Sequence, residues 1–214
     1  MLTITVAIIA ITSIISFTAF SNNKVLNDLI FSPIDITYRK QWYRFFTCGF
    51  IHADIIHLAF NMYSFYLFGD AIEHFFVQIF GTAGKFIFLL LYVSSLFFCL
   101  IPTYIQNKHN DAYRSLGASG AVSAVVFAFI VLAPTIPLGL IIIPGLELPS
   151  FVFGLIYLGI SAYLSKKGNS YVNHSAHFWG AMYGIFFLLV ACLLFSKFNP
   201  IENFIQQVTA YLHK

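Results

Sequence analysis

Ser119 stands in Arg114-Ser115-Leu116-Gly117-Ala118-Ser119-Gly120-Ala121-Val122-Ser123, at the mouth of an apolar run that continues through Val125, Val126, Phe127, Phe129, Ile130, Val131 and Leu132. A hydroxyl at the start of a helix entering lipid is a candidate nucleophile. Gly117 and Gly120 lack a Cβ, so another chain can approach the serine and the turn can take backbone angles that other residues resist. Two imidazoles accompany it. His57 lies four residues before Asn61, which puts both on one helix face. His177 lies in Ala176-His177-Phe178-Trp179-Gly180-Ala181-Met182-Tyr183-Gly184. Ionisable residues inside membrane spans are costly and mark function. A serine, an imidazole and hydrogen-bond donors in one layer suit acyl transfer. His177 would take the Ser119 proton as general base, and His57, Asn61 and the Ser119 backbone N–H would stabilise the oxyanion. Each residue also has a plainer reading. Small residues commonly pack membrane helices together, and a buried histidine is commonly just a hydrogen-bonded packing residue.

Other chemistries fit less well. His52 is five residues before His57 and falls off its face, so the two do not form an i, i+4 metal pair, and the zinc-protease pattern H-E-x-x-H is absent. Asp70, Glu73, Asp111 and Glu147 fall near the expected helix ends. Neither a triad carboxylate nor a pair of buried acids is therefore expected. Cys48, Cys99 and Cys192 are far apart and form no C-x-x-C unit; they read as buried hydrophobes. No metal or cofactor is expected. Asp54 is placed to cap the helix that carries His57, and His174 reads as a loop residue or a partner of His177.

The elements that must position these groups follow from composition. The 214 residues suit one domain. An apolar fraction of 59%, a charged fraction of 9% and a mean hydropathy of +0.84 place the chain in a membrane. The net charge of +3 is too small and scattered for nucleic-acid binding. Six stretches are long and apolar enough to span: 2–20, 52–68, 86–104, 117–133, 148–164 and 176–195. Backbone groups in lipid must satisfy one another, so each is expected to be helical. The fold class is all-α, a polytopic membrane protein with six transmembrane helices, its core in 1–195 and a short tail in 196–214. Span one reads as a retained helix, since no Lys or Arg precedes it as in a signal peptide. The link 21–51 is rich in aromatics and carries Arg39, Lys40 and Arg44, a mixture that suits the bilayer surface. Spans two, four and six enter from one side, so His57, Asn61, Ser119 and His177 share a depth. His177, Gly180 and Gly184 share a face whose natural partner is the small face of Gly120, Ala121 and Ala124.

With these residues in place, the chain resembles the rhomboid intramembrane serine proteases. Gly117-Ala118-Ser119-Gly120 fits the G-x-S-G nucleophile motif, and Ala176-His177-x-x-Gly180-x-x-x-Gly184 fits the sixth-helix motif. His52-x4-His57-x3-Asn61 fits the second-helix pattern, Glu73 matches a residue usual near its far end, and Tyr43-Arg44 is similar to the family's Trp-Arg pair. The resemblance covers 1–195. It implies a Ser119–His177 dyad, His57 and Asn61 at the oxyanion site, and a water-accessible cavity opening below the membrane surface. Substrates would be single-span membrane proteins whose helices unwind near the scissile bond, with no cofactor.

Two departures stand out. The family often has an aromatic residue four positions after the nucleophile, packed on the catalytic imidazole, whereas this chain has Ser123; the ring must then be held in some other way, an aromatic from elsewhere being one. Tyr43 in place of Trp is milder. The loops after spans one, three and five carry eight Lys and Arg side chains against Lys85, Lys197 and Lys214 opposite. That count places those loops in the cytoplasm, whereas the family places them outside; we follow the family. A compact core without an added domain points to a bacterial inner membrane. The alternatives are a catalytically inactive rhomboid-like protein that binds or escorts membrane proteins, and a small transporter or channel. The first is disfavoured by retention of both Ser119 and His177. The second would spread polar residues along a pore rather than cluster them at one face.

Overall fold

The computed structural model describes residues 3–139, 145, 147–167 and 172–213. In chain order it contains α1 (Ile4–Ser21), α2 (Asn23–Leu29), α3 (Pro33–Arg39), α4 (Arg44–Thr47) with a 3-10 turn at Cys48–Phe50, and α5 (Ile55–Phe80). A second 3-10 turn, Gly81–Ala83, leads to α6 (Gly84–Phe98), followed by α7 (Ile101–Asn107) and α8 (Ser119–Leu132). The hairpin of β1 (Pro137–Gly139) and β2 (Glu147–Pro149) precedes α9 (Ser150–Lys167), α10 (His174–Phe195) and α11 (Pro200–Leu212).

α8 is the hub. Its side chains are buried on every side, from Gly120 and Ala121 through Phe127 to Leu132, and α5, α6, α9, α10 and α11 pack around it. A helix apolar all round belongs at such a centre. α1 has the opposite pattern. Thr5, Thr12, Ser16 and Ala19 face the protein, while Ile11, Ile14 and Phe17 face outward. In lipid, small and polar residues make the helix contacts and large apolar ones meet the chains.

Glu73 docks the N-terminus of α1. Its carboxylate accepts the N–H of Ile4 at 3.1 Å, the N–H of Thr5 at 3.0 Å and the Thr5 hydroxyl at 3.1 Å, satisfying donors that the first turn of a helix leaves without internal partners. This contact corrects a boundary. The second span was expected to stop at residue 68, but α5 runs to Phe80 and contains Asp70, Glu73 and His74 within it. The polar residues that marked an end in the sequence are tolerated because Glu73 is buried against α1. The helix stops at Gly81, whose φ of +60° favours glycine. α6 then folds back on α5, with Phe65 against Phe88 and Tyr92. The third expected span, 86–104, is split, because α6 ends at Phe98 and α7 restarts with Pro102 in its first turn, where a missing N–H is harmless.

Three described stretches are long and apolar enough to cross a bilayer: Ile4–Ser21, Ile55–Asn107, which includes the α5–α6 hairpin, and His174–Phe195. α8 is apolar but shorter, with 14 residues. The link 21–51 is a folded platform. The buried Arg44 donates from Nη1 to the carbonyls of Asn27 and Ile30, each at 2.8 Å, and from Nε to Gln41 at 2.6 Å. The tail is helical too: Asn203 and Gln207 of α11 donate to the Leu132 carbonyl at 3.1 and 3.0 Å, capping the end of α8.

Candidate active site

The site begins with a backbone contact. A Cβ at Gly180 would lie 2.0 Å from the Gly120 carbonyl oxygen, and one at Gly184 would lie 2.0 Å from that of Ala124. Only glycine lets α10 approach α8 this closely. The seam brings the first residue of α8 to the first turn of α10, and His177 Nε2 lies 2.6 Å from Ser119 Oγ. Asn173 starts α10 by accepting the Ala176 N–H at 3.0 Å.

The loop before Ser119 is held from three sides. Ser115 and Phe31 exchange backbone bonds of 3.0 and 3.2 Å, and the Gly117 N–H donates to the Cys48 carbonyl at 2.9 Å. Gly117 has φ +108°, and a Cβ there would meet His57 Cε1 at 2.8 Å and Nε2 at 3.0 Å. Glycine is needed both for the turn and for the imidazole lying over it. His52, only 1% exposed, is the third support. Its Nε2 accepts the Ala118 N–H at 3.5 Å, and its Nδ1 lies 2.9 Å from Ser16 Oγ, which donates to the Phe50 carbonyl at 2.9 Å. Burial pushes the His52 pKa down to about 3, with the neighbouring His57 adding to the effect and Asp54 opposing it. The ring is therefore neutral, and these partners assign its one proton to Nδ1. Burial likewise pushes the Cys48 thiol up to about 12, which makes it packing rather than a nucleophile.

Asp54 caps α5 by accepting the His57 N–H at 2.7 Å, as its position predicts. His57 Nδ1 accepts the Ala53 N–H at 3.4 Å, which leaves the proton on Nε2, the nitrogen facing Gly117. Asn61 is buried one turn later and uses one amide proton on the His57 carbonyl at 2.9 Å, so the second is left for another acceptor. The N–H groups of Ser119 and Gly120, at the start of α8, are donors that a helix cannot satisfy internally. His174 opens α10 rather than lying in a loop, and its ring meets His177 edge-on at 5.8 Å.

Ser123 is resolved by an unforeseen partner. Tyr157 of α9 lies 2.6 Å from it, hydroxyl to hydroxyl, and the Tyr157 ring stacks on His177 with centroids 6.3 Å apart and planes at 24°. The sequence left open what would hold the ring, and nothing in it singled out Tyr157.

A small cavity of ≈ 20 Å³ lies beside Ser119, lined by Gly117, Ser115, Cys48, Cys99 and Asn173 among others; it has room for about one water molecule. Thr103, Asn173 and Ser115 form a polar chain at its edge, with contacts of 3.2 and 3.4 Å. A larger open cavity of ≈ 550 Å³ lies between α1 and the start of α5, with His52 and Leu116 in its wall. Among the described residues no group of three or more His, Cys, Asp or Glu side chains converges to hold a metal ion.

The family model for the Rhomboid domain matches residues 39–194. The chain is 31% identical over 155 residues to the rhomboid protein YdcA of Bacillus subtilis (strain 168), covering 72% of this chain and 68% of that protein. It is 27% identical over 163 residues to presenilin-associated rhomboid-like protein A, mitochondrial, of Danio rerio, covering 73% and 39%. It is 29% identical over 178 residues to RHOMBOID-like protein 12, mitochondrial, of Arabidopsis thaliana, covering 76% and 50%. The chain thus spans half or less of the length of the last two relatives.

Proposed function

The chain belongs to the rhomboid family, and from that premise we propose that it is an intramembrane serine endopeptidase that cleaves transmembrane segments of single-span membrane proteins. The observation that carries this reading is the 2.6 Å contact between Ser119 Oγ and His177 Nε2. His177 Nε2 accepts the hydroxyl proton as Oγ attacks the scissile carbonyl carbon. The oxyanion is met by the Ser119 N–H, His57 Nε2–H and the second amide proton of Asn61. His177 then gives its proton to the departing amine. Water, for which the small cavity has room, hydrolyses the acyl-enzyme in the same way.

The substrate would bind as an extended segment. Ser115 spends both main-chain groups on Phe31, and Leu116 beside it has no main-chain partner among the described residues. Adjacent residues of a strand direct these groups to opposite edges, so Leu116 offers a ladder site to an unwound helix. We read α1, α5, α6, α8, α9 and α10 as six spans. At 14 residues, α8 covers about 21 Å of a core about 30 Å thick, so a helix ending at one surface would hold Ser119 well below the other. By likeness to the Bacillus protein we assign it to a bacterial plasma membrane, with the site opening to the outer face.

The test is cleavage of a reporter transmembrane substrate in liposomes, together with labelling of Ser119 by a fluorophosphonate. Ser119→Ala and His177→Ala are expected to lose activity by about 10³-fold or more while keeping the fold. Cleavage by Ser119→Ala at the wild-type rate removes the dyad assignment. Intact folding with no cleavage and no labelling of the wild type favours the inactive, escorting relative instead.

A further inference from the structure

The imidazole of His177 must keep Nε2 on Ser119, and the neighbour one turn along α8 that could hold it there is only a serine. We propose that Tyr157 of α9, secured by Ser123, is the positioning residue that holds the His177 ring toward Ser119. This inference rests on the protease reading and adds to it that part of the dyad geometry is carried by α9.

Four observations converge. The Tyr157 and His177 rings are 6.3 Å apart and inclined by 24°, an offset stack within the range of favourable aromatic pairs. The tyrosine hydroxyl is held by a directional chain. Ser123 Oγ donates to the Ser119 carbonyl at 2.8 Å, so with its proton spent it accepts from Tyr157 Oη at 2.6 Å. The tyrosine ring is flanked by Phe127 at 5.6 Å and Phe153 at 6.1 Å. Finally, the buried Ser123 and the partly buried Tyr157 are complementary in size. Their contact leaves no space for an aromatic at both positions, since overfilling a packed site forces its neighbours apart.

α9 itself is lightly held. Its buried residues are Ser150, Gly154 and Ser161, while Leu155, Ile156 and Ile160 face outward. Displacing α9 would carry the Tyr157 ring off His177, whereas the α8–α10 backbone seam would remain.

The experiment uses the full chain in micelles and liposomes. Tyr157→Ala is expected to lower kcat about tenfold to a hundredfold with KM changed less than about twofold, the scale of a misplaced catalytic group. Tyr157→Leu, which keeps bulk without a ring, should behave like Tyr157→Ala and guards against a folding defect. Tyr157→Phe keeps the stack and should retain at least about a third of kcat. Moving the ring to α8 in the double variant Tyr157→Ala, Ser123→Tyr should recover at least about fivefold over Tyr157→Ala. The ring protons of His177, assigned by their loss in His177→Gln, should shift in NMR spectra of Tyr157→Ala and Tyr157→Leu but not of Tyr157→Phe. Full kcat in Tyr157→Leu, or unmoved His177 resonances in Tyr157→Ala, overturns the proposal. A wild type without Ser119-dependent cleavage defeats the protease reading instead, and the resonances then still decide whether Tyr157 orients the ring.

Discussion

α10 and α9 both pack against α8 near Ser119 and His177, by opposite means. α10 lies backbone to backbone on it, with Gly180 over the Gly120 carbonyl and Gly184 over that of Ala124. α9 reaches it through side chains, at Gly154 against Ile130 and Phe127 and at Tyr157 against Ser123. The first contact sets how far Ser119 and His177 stand apart. The second bears on how the imidazole is turned. Distance is thereby entrusted to backbone contact and orientation to side-chain contact.

The contrast can be broken at either contact. Gly180→Val should have the largest effect. Its side chain would meet main chain rather than a movable group, so we expect a loss of at least about 3 kcal/mol and no measurable cleavage, checked by thermal unfolding in micelles and the reporter assay. A folded, active Gly180→Val would show that the seam is not what sets the distance. Glu73→Ala should cost about 1–3 kcal/mol, since it strands the Ile4 and Thr5 donors. It should loosen α1 with little change in kcat, a result measurable by hydrogen exchange at the α1 N-terminus.

His52 supplies a test through pH. Its folded-state pKa of about 3 lies below the ordinary 6.5, so between these values the unfolded chain binds the extra proton. The stability from this group is complete above pH 6.5 and is lost as pH falls toward 3. The wild type should therefore lose more Tm between pH 7 and about pH 4 than His52→Gln does; parallel Tm curves would refute the assignment of a neutral, buried His52. The smallest effect should come from Gly154→Ala on α9. The added Cβ would meet the end of the Ile130 side chain at 3.1 Å, which can yield, so a change under about 1 kcal/mol is expected by unfolding.

Much of the site is legible because it depends on short-range spacing. His177, Gly180 and Gly184 share a helix face by period alone, and Asp54 precedes α5 as a cap should. The reach of α5 past residue 68 was not legible, because Asp70 and Glu73 look like an end until Glu73 is seen buried on the α1 N-terminus. The part played by His52 was hidden for the same reason. Its partners, Ser16 and Ala118, are 36 and 66 residues away.

Taken alone, the order of residues determined that this is a mostly helical membrane chain, and it picked out the hydroxyl and the imidazole that the fold brings together. Hydrophobic run length and glycine spacing are properties of single segments, and they act before any tertiary contact exists. Which aromatic ring faces His177 emerges only in the folded chain. That choice depends on which helix packs next to α8 at the height of Ser123, a relation between distant segments that no local pattern encodes.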